Sequence, residues 1–167
     1  MANVNQTLVS NHLANPRVHS PVHQMGGRMR VACGTVAAVA GDLSAGDTIM
    51  LTPIPTGAAV ISIKIFNDDL DSGSTVTMHV GLYEDDGDVT VIDVDAYASA
   101  TTDLRGAVTV GTEVAFEARN INTMGQRVWE DAGLSSDPGG HKLIGIETDA
   151  AGDTGGDISF IITYVVD

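Results

Sequence analysis

The chain has 167 residues, enough for one domain with a substantial core and too few for two. Its net charge of −14 argues against nucleic acid as a partner, because phosphates would be repelled. Its single cysteine, Cys33, excludes an intramolecular disulfide and is expected to be a small buried residue of an apolar strand.

Residues 1–28 are expected to form an extended N-terminal arm. Residues 1–41 contain three Arg and no Asp or Glu, a charge of +3, whereas residues 42–167 carry −17, and the two sum to −14. Pro16 and Pro21 disfavour helix, and the glycine pair at 26–27 is a flexible joint. A first strand packed on its own domain is the alternative. An arm with its own charge indicates a partner-binding segment, and its candidate contact residues are Arg17, His19, Pro21, His23, Arg28 and Arg30.

No basic segment followed by an apolar stretch opens the sequence, so we expect no signal peptide, and the lone cysteine indicates synthesis in a reducing cytoplasm. The apolar stretches are too short to span a bilayer, so a membrane partner is not expected either.

Short apolar and β-branched segments, separated by turns rich in Gly and Asp, follow the arm. The alternation of Ile and polar residues over 60–66 is the clearest strand signal, and Asp86-Gly87 predicts a hairpin tip. The predicted strands are 29–39, 48–54, 60–66, 74–83, 89–94, 112–118, 126–129, 142–148 and 158–166.

Two segments carry further signals. The strand at 158–166 is apolar on both faces, which is typical of a strand in the middle of a sheet or under a neighbouring subunit. A short helix is predicted over 95–105, with Asp95 as its N-cap and Gly106 after its end. Together the elements predict an all-β fold, a β-sandwich of jelly-roll kind with one short helix, in which residues 29–167 form the domain behind the arm.

The sequence offers no catalytic constellation. Nearly all carboxylates lie in turns, where water keeps the pKa of an acid near its ordinary value. The acidic loops at 68–73 and 84–88 lack the spacing of an EF-hand, so solvated turns are preferred over a calcium site. His19 and His23 are four residues apart, but Pro21 between them prevents the helix that would bring both onto one metal. We therefore expect no enzymatic activity, no cofactor and no metal.

Five segments stand in a familiar order: GDTIMLTPIPTGAAVISIKI (46–65), VGLYE (80–84), DAYASA (95–100), VWEDAGLSSDP (128–138) and LIGIET (143–148). Their succession resembles the small structural proteins of tailed bacteriophages that decorate or cement the head. The resemblance covers roughly residues 44–166 and carries no catalytic residues.

This resemblance implies a β-sandwich on the outside of the capsid, often a homotrimer, that bridges neighbouring subunits of the major capsid protein. Its partners would be the major capsid protein and its own copies, and its location the surface of the virion. A carbohydrate-binding module of a tail fibre or cell-surface protein is the alternative, although three Tyr, three Phe and one Trp supply few stacking platforms. A hydrolase on a jelly-roll scaffold is a second alternative.

Overall fold

The computed structural model describes residues 4–167, so the first three residues of the predicted arm lie outside the described residues. Two four-stranded antiparallel sheets pack face to face, which confirms the all-β sandwich. The strands are β1 (Arg28–Ala38), β2 (Thr48–Pro55), β3 (Ala59–Asn67), β4 (Thr77–Glu84), β5 (Val91–Thr101), β6 (Val108–Glu113), β7 (His141–Ala150) and β8 (Gly156–Val166). Two helices are α1 (Thr7–Leu13) and the single turn α2 (Val128–Asp131).

The first sheet has the order β1-β8-β3-β6 and the second sheet the order β2-β7-β4-β5. Strand β8 pairs with β1 on one side, with Cys33 opposite Ile161, and with β3 on the other, with Ile63 opposite Ile162. The prediction that the doubly apolar segment lies in the middle of a sheet is therefore confirmed. Strand β1 is an edge strand of the first sheet.

Aliphatic side chains from alternate positions of both sheets fill the core between them. Ile63, Ile65, Ile144 and Ile162 are fully buried there. The hairpin between β4 and β5 turns where the sequence predicted, with Gly87 at a φ of 82°.

The predicted helix over 95–105 is wrong, because β5 continues through it to Thr101. Gly81 of β4 explains the difference: a Cβ on it would lie 2.2 Å from the carbonyl oxygen of Val94. The missing side chain lets the backbone of β5 approach β4 closely. This long-range strand pairing overrides the local capping signals.

Four further predictions need correction. The strand predicted at 112–118 ends at Glu113, and the one at 126–129 is a bridge between Ala59 and Arg127 followed by α2. Residues 7–13 are helical rather than extended; the side chain of Gln6 accepts a hydrogen bond from Leu8 N at 2.6 Å and caps the helix. Cys33 is exposed rather than buried, since it lies on the outward side of an edge strand.

None of the helices within residues 4–167 has the length and apolar character needed to cross a membrane.

Candidate partner-binding surface

Residues 4–20 form a small unit at the start of the arm. Backbone Val18 N donates to Asn11 O at 3.2 Å, and Arg17 Nε donates to His12 O at 3.2 Å, which folds the chain back along α1. No residue of α1 is buried. The unit is thus held together by its own polar groups and leaves its apolar side chains uncovered.

The arm carries an unusual number of uncovered apolar side chains. Leu13 is 66% exposed and Val9 45%, although a side chain of this kind favours burial by about 1.5–3 kcal/mol. The set comprises Val4, Val9, Leu13, Val18, Val22 and Met25. Such a run on one segment is typical of a surface that a partner covers.

Residues 21–27 form a turn that is anchored to the domain. Within it, Pro21 O accepts hydrogen bonds from Gln24 N and Met25 N, each at 3.0 Å. Arg127 Nε and Nη2 donate to His23 Nδ1 at 3.2 and 3.0 Å, and Nη2 also donates to Asp167 Oδ2 at 2.7 Å. One guanidinium therefore ties the arm to the C-terminal residue.

The anchor sets the charge state of His23, whose side chain is 9% exposed. Burial, together with the positive charge of Arg127, lowers the pKa of His23 below its usual 6.5. Asp167 and Glu130 act in the opposite direction and do not reverse the shift. His23 is therefore neutral at pH 7 and able to accept from Arg127.

The six candidate contact residues lie in three places. Arg17, His19 and Pro21 are exposed on the arm, and the first two line a groove of about 250 Å³. His23 faces its own domain. Arg28 and Arg30 are exposed at the beginning of β1, opposite Val166 and Tyr164 of β8. Their role in binding stays a prediction.

Next to this basic end lies the outer face of the first sheet, which exposes several apolar side chains among hydroxyl groups such as those of Thr35 and Ser159. Met29 and Val31 are 65% and 59% exposed, and Ile161 of the central strand is 39% exposed. The apolar members of the face are Met29, Val31, Cys33, Ile61, Phe66, Ile161 and Val165. The doubly apolar pattern of 158–166 indicated an apolar outward side of β8, whereas the sequence did not identify Met29, Val31 and Ile61 as parts of the same face.

The second sheet does not offer a comparable face. Above Gly145 of its strand β7, the side chains of Met50 and Tyr83 fill the place of a Cβ, with Met50 Cε 2.6 Å from it. Tyr83 is fully buried by this packing, and His79 pairs with Asp149 at 3.6 Å on the same side. The bare apolar sheet surface is thus a property of the first sheet.

The group that most resembles a pair of catalytic side chains is a buried ion pair. Arg119 Nη2 donates to both carboxylate oxygens of Asp131 at 2.9 and 3.0 Å, and its guanidinium lies 5.3 and 5.2 Å from the ring centres of Tyr97 and Phe116. Burial raises the pKa of Asp131 to about 6. Because the two charged side chains are only 3% and 7% exposed, they fasten α2 to the domain rather than meet a substrate.

The acidic loop at 68–73 has a structural explanation. Asp71 is 4% exposed, and its carboxylate accepts hydrogen bonds from the backbone N–H of Gly73, Thr75 and Val76 at 2.6–3.1 Å. These bonds lower its pKa to about 2. Within residues 4–167, no three His, Cys, Asp or Glu side chains are arranged to hold a metal ion.

The chain is therefore an all-β sandwich that carries an N-terminal arm and one bare apolar sheet face. Its fold is similar to that of a chain in the Cyanophage Pam1 capsid asymmetric unit, with 20% identity, a TM-score of 0.56 and coverage of 100% of both chains. It is also similar to a chain in the capsid of Ralstonia phage GP4, with 21% identity, a TM-score of 0.61 and coverage of 89% of this chain and 91% of that one. No protein-family model and no curated protein sequence matches this chain. At such identities the likeness shows a shared fold.

Proposed function

We propose that this protein is a non-enzymatic structural component of a phage virion. In this proposal it decorates the outside of the capsid, bridges neighbouring subunits of the major capsid protein and so stabilises the head. The observation that carries the proposal is the end-to-end likeness to a chain of the Pam1 capsid asymmetric unit, which includes the arm.

The strand order supports this assignment. Strands β1, β8, β3 and β6 face β2, β7, β4 and β5, an order that supports the predicted eight-stranded jelly roll, and viral capsid and lectin domains both use that architecture. Fold alone does not choose between the two uses, so the choice depends on the surfaces.

The surfaces favour protein partners. A stable protein contact buries about 800 Å² on each side and places apolar groups at its centre. The arm and the outer face of the first sheet both present exposed aliphatic side chains, so each is suited to a protein contact, with the capsid or with another copy of this chain. Repeated weak contacts on one shell reinforce each other by avidity. In this proposal the protein binds the capsid as a homotrimer.

A carbohydrate-binding module is the less favoured function. Sugar rings stack on exposed aromatic side chains, but Tyr83 and Tyr97 are fully buried. None of the large hydrophobic side chains that stand exposed on residues 4–167 is aromatic.

The test is co-sedimentation of the full chain with empty heads that lack it. We expect saturable binding at a fixed number of copies per head, and bound heads that withstand higher temperature or lower salt than bare heads. An unrelated protein of similar negative charge serves as the control for non-specific pelleting. Absence of saturable binding, or binding without any gain in head stability, would reject the decoration role.

A further inference from the structure

The first relevant observation is that residues 4–20 bury none of the residues of α1 against any other part of the described chain, residues 4–167. Val9 and Leu13 of α1 point their side chains into solvent, and no residue of this helix is buried. A seven-residue helix is marginal by itself in water, and only polar contacts within residues 4–20 hold this one, so burial of its apolar side chains by a partner would stabilise it.

The second observation is that the outer face of the first sheet is uncovered and carries little net charge. Cys33 lies there between Val31 and Ile161, with the hydroxyl side chains of Thr35, Ser159 and Thr163 beside it. The charged members of the face are Lys64, Glu113 and Asp157. A chain with a net charge of −14 repels its own copies at most points, and this face is a place where that repulsion is weak.

The third observation concerns charge. The arm is free of acids and leads into Arg28 and Arg30. At the opposite end of the same sheet, where β1 ends and β8 begins, Asp157 N donates to Asp68 Oδ2 at 2.9 Å, and the Asp153 carboxylate accepts from Ser72 N at 2.6 Å. The basic arm and this acidic end therefore attract each other when they belong to different copies.

We infer that residues 4–20 of one copy dock on the outer face of the first sheet of a second copy. The inference rests on the proposed role of the arm as the partner-binding segment and names its partner. The arm does not cover its own sheet, since Met29 and Val31 remain more than half exposed. The anchor at His23, and Gly27 packed against Val165, fix the point at which the arm leaves the domain.

This contact is head-to-tail, because the arm of each copy meets a different surface of the next. Head-to-tail contacts close into a ring when the rotation between copies allows it. Every copy in a closed ring has both its arm and its outer face covered, so the uncovered apolar groups of the isolated chain disappear together.

Cys33 on the outer face provides a direct test. One copy carries Leu13→Cys with Cys33→Ser, and the other is the unaltered chain with a tag that changes its mass. After mixing and mild oxidation with oxidised glutathione, we expect a disulfide that joins the two species. The control is Val91→Cys with Cys33→Ser, because Val91 is 50% exposed on the second sheet and is expected to give no such product.

Other products overturn the inference. A disulfide that forms only within one chain of the single variant Leu13→Cys would place the arm on its own sheet. A product joining Cys33 of two unaltered copies would indicate sheet-to-sheet packing. Absence of any mixed product would mean that the arm does not dock on the outer face.

Light scattering in the absence of heads gives an independent test. For the unaltered chain we expect a mass that is a multiple of 17.3 kDa. For Val31→Lys, and for Val9→Asp combined with Leu13→Asp, we expect a shift to monomer, with association at least tenfold weaker. Val91→Lys adds the same charge at a similarly exposed site and should leave the mass unchanged. A monomeric unaltered chain overturns the inference, whereas loss of head binding alone affects only the proposed function.

Discussion

His23 and Arg127 lie 104 residues apart in the sequence and are joined through both the Nε and the Nη2 of the arginine. The contact holds the turn at residues 21–27 against the loop before α2, and Asp167 shares the same guanidinium. The arm therefore has two parts, an anchored turn and a projecting unit, where the sequence indicated one extended segment.

Replacing Arg127 with Met should release the anchored turn. Hydrogen bonds to a charged group contribute about 1.5–3 kcal/mol, so local opening of residues 21–27 should become easier by roughly 2 kcal/mol. Hydrogen exchange of the turn amides would measure this. Arg17→Met is the control, because among residues 4–167 its guanidinium bonds within the arm, at His12 O; equal exchange in both variants would contradict the anchor.

Acidification should loosen the same turn. Because the pKa of His23 is lowered from 6.5, the neutral form is favoured by folding, and the stabilisation present above pH 6.5 is lost as the pH falls below it. Asp167 and Glu130 face the imidazole with opposite charge and reduce the effect without removing it. NMR titration of the imidazole should give a pKa below 6.5, and His23→Gln should make the exchange of residues 21–27, corrected for intrinsic rates, independent of pH between 7.5 and 5. A His23 pKa above 6.5 would contradict this account.

The strand pattern was predictable wherever apolar side chains alternate, as at Ile63 and Ile65 of β3, because burial of one sheet face imposes period two. The span 95–105 was not, since its capping signals are local while the close approach of β5 to Gly81 is a tertiary effect. The His23–Arg127 contact was equally inaccessible, because nothing in either neighbourhood specifies a partner 104 residues away. The outer face was predictable in part, because Ile161 is an apolar residue at an outward position of the segment 158–166.

Gly81→Ala should be strongly destabilising. Its Cβ would lie 2.2 and 2.3 Å from the carbonyl oxygens of Val94 and Asp93, so β4 and β5 would have to separate. Overpacking of this kind costs about 1–3 kcal/mol in free energy of unfolding, measured by urea denaturation. Gly106→Ala is the matched control, because no atom lies within 4 Å of its Cβ position and the change should be near neutral. Equal stability of the two variants would argue against the close approach of β5 to Gly81.

Arg119→Leu should destabilise the domain by about 3–5 kcal/mol, because it leaves the buried carboxylate of Asp131 without its counter-charge. The loss should be largest at neutral pH and smaller in acid, where that carboxylate is protonated. Urea denaturation at pH 7.5 and 4.5 measures both quantities, and a loss that does not depend on pH would contradict the pairing.

Asp131→Asn separates the titration from the packing. Burial raises the pKa of Asp131 to about 6 in the folded protein, so the folded state holds a proton that the unfolded state releases. The resulting stabilisation is fully present below the unfolded pKa of about 3.8 and is lost as the pH rises through about 6. The variant lacks this titration. Its stability relative to the unaltered chain, measured as the difference in free energy of unfolding, should therefore increase as the pH rises from 4.5 to 7.5.

The thiol of Cys33 should report whether the outer face is covered. In the isolated chain the residue is exposed, so its thiol should react completely with a water-soluble disulfide reagent without unfolding. If copies associate through this face, the reaction should slow at least tenfold as protein concentration rises, and Val31→Lys should restore the fast rate. Val91→Lys, on the second sheet, should leave the protected rate unchanged. A rate that is fast at every concentration would mean that Cys33 stays uncovered, and would place the contact between copies elsewhere.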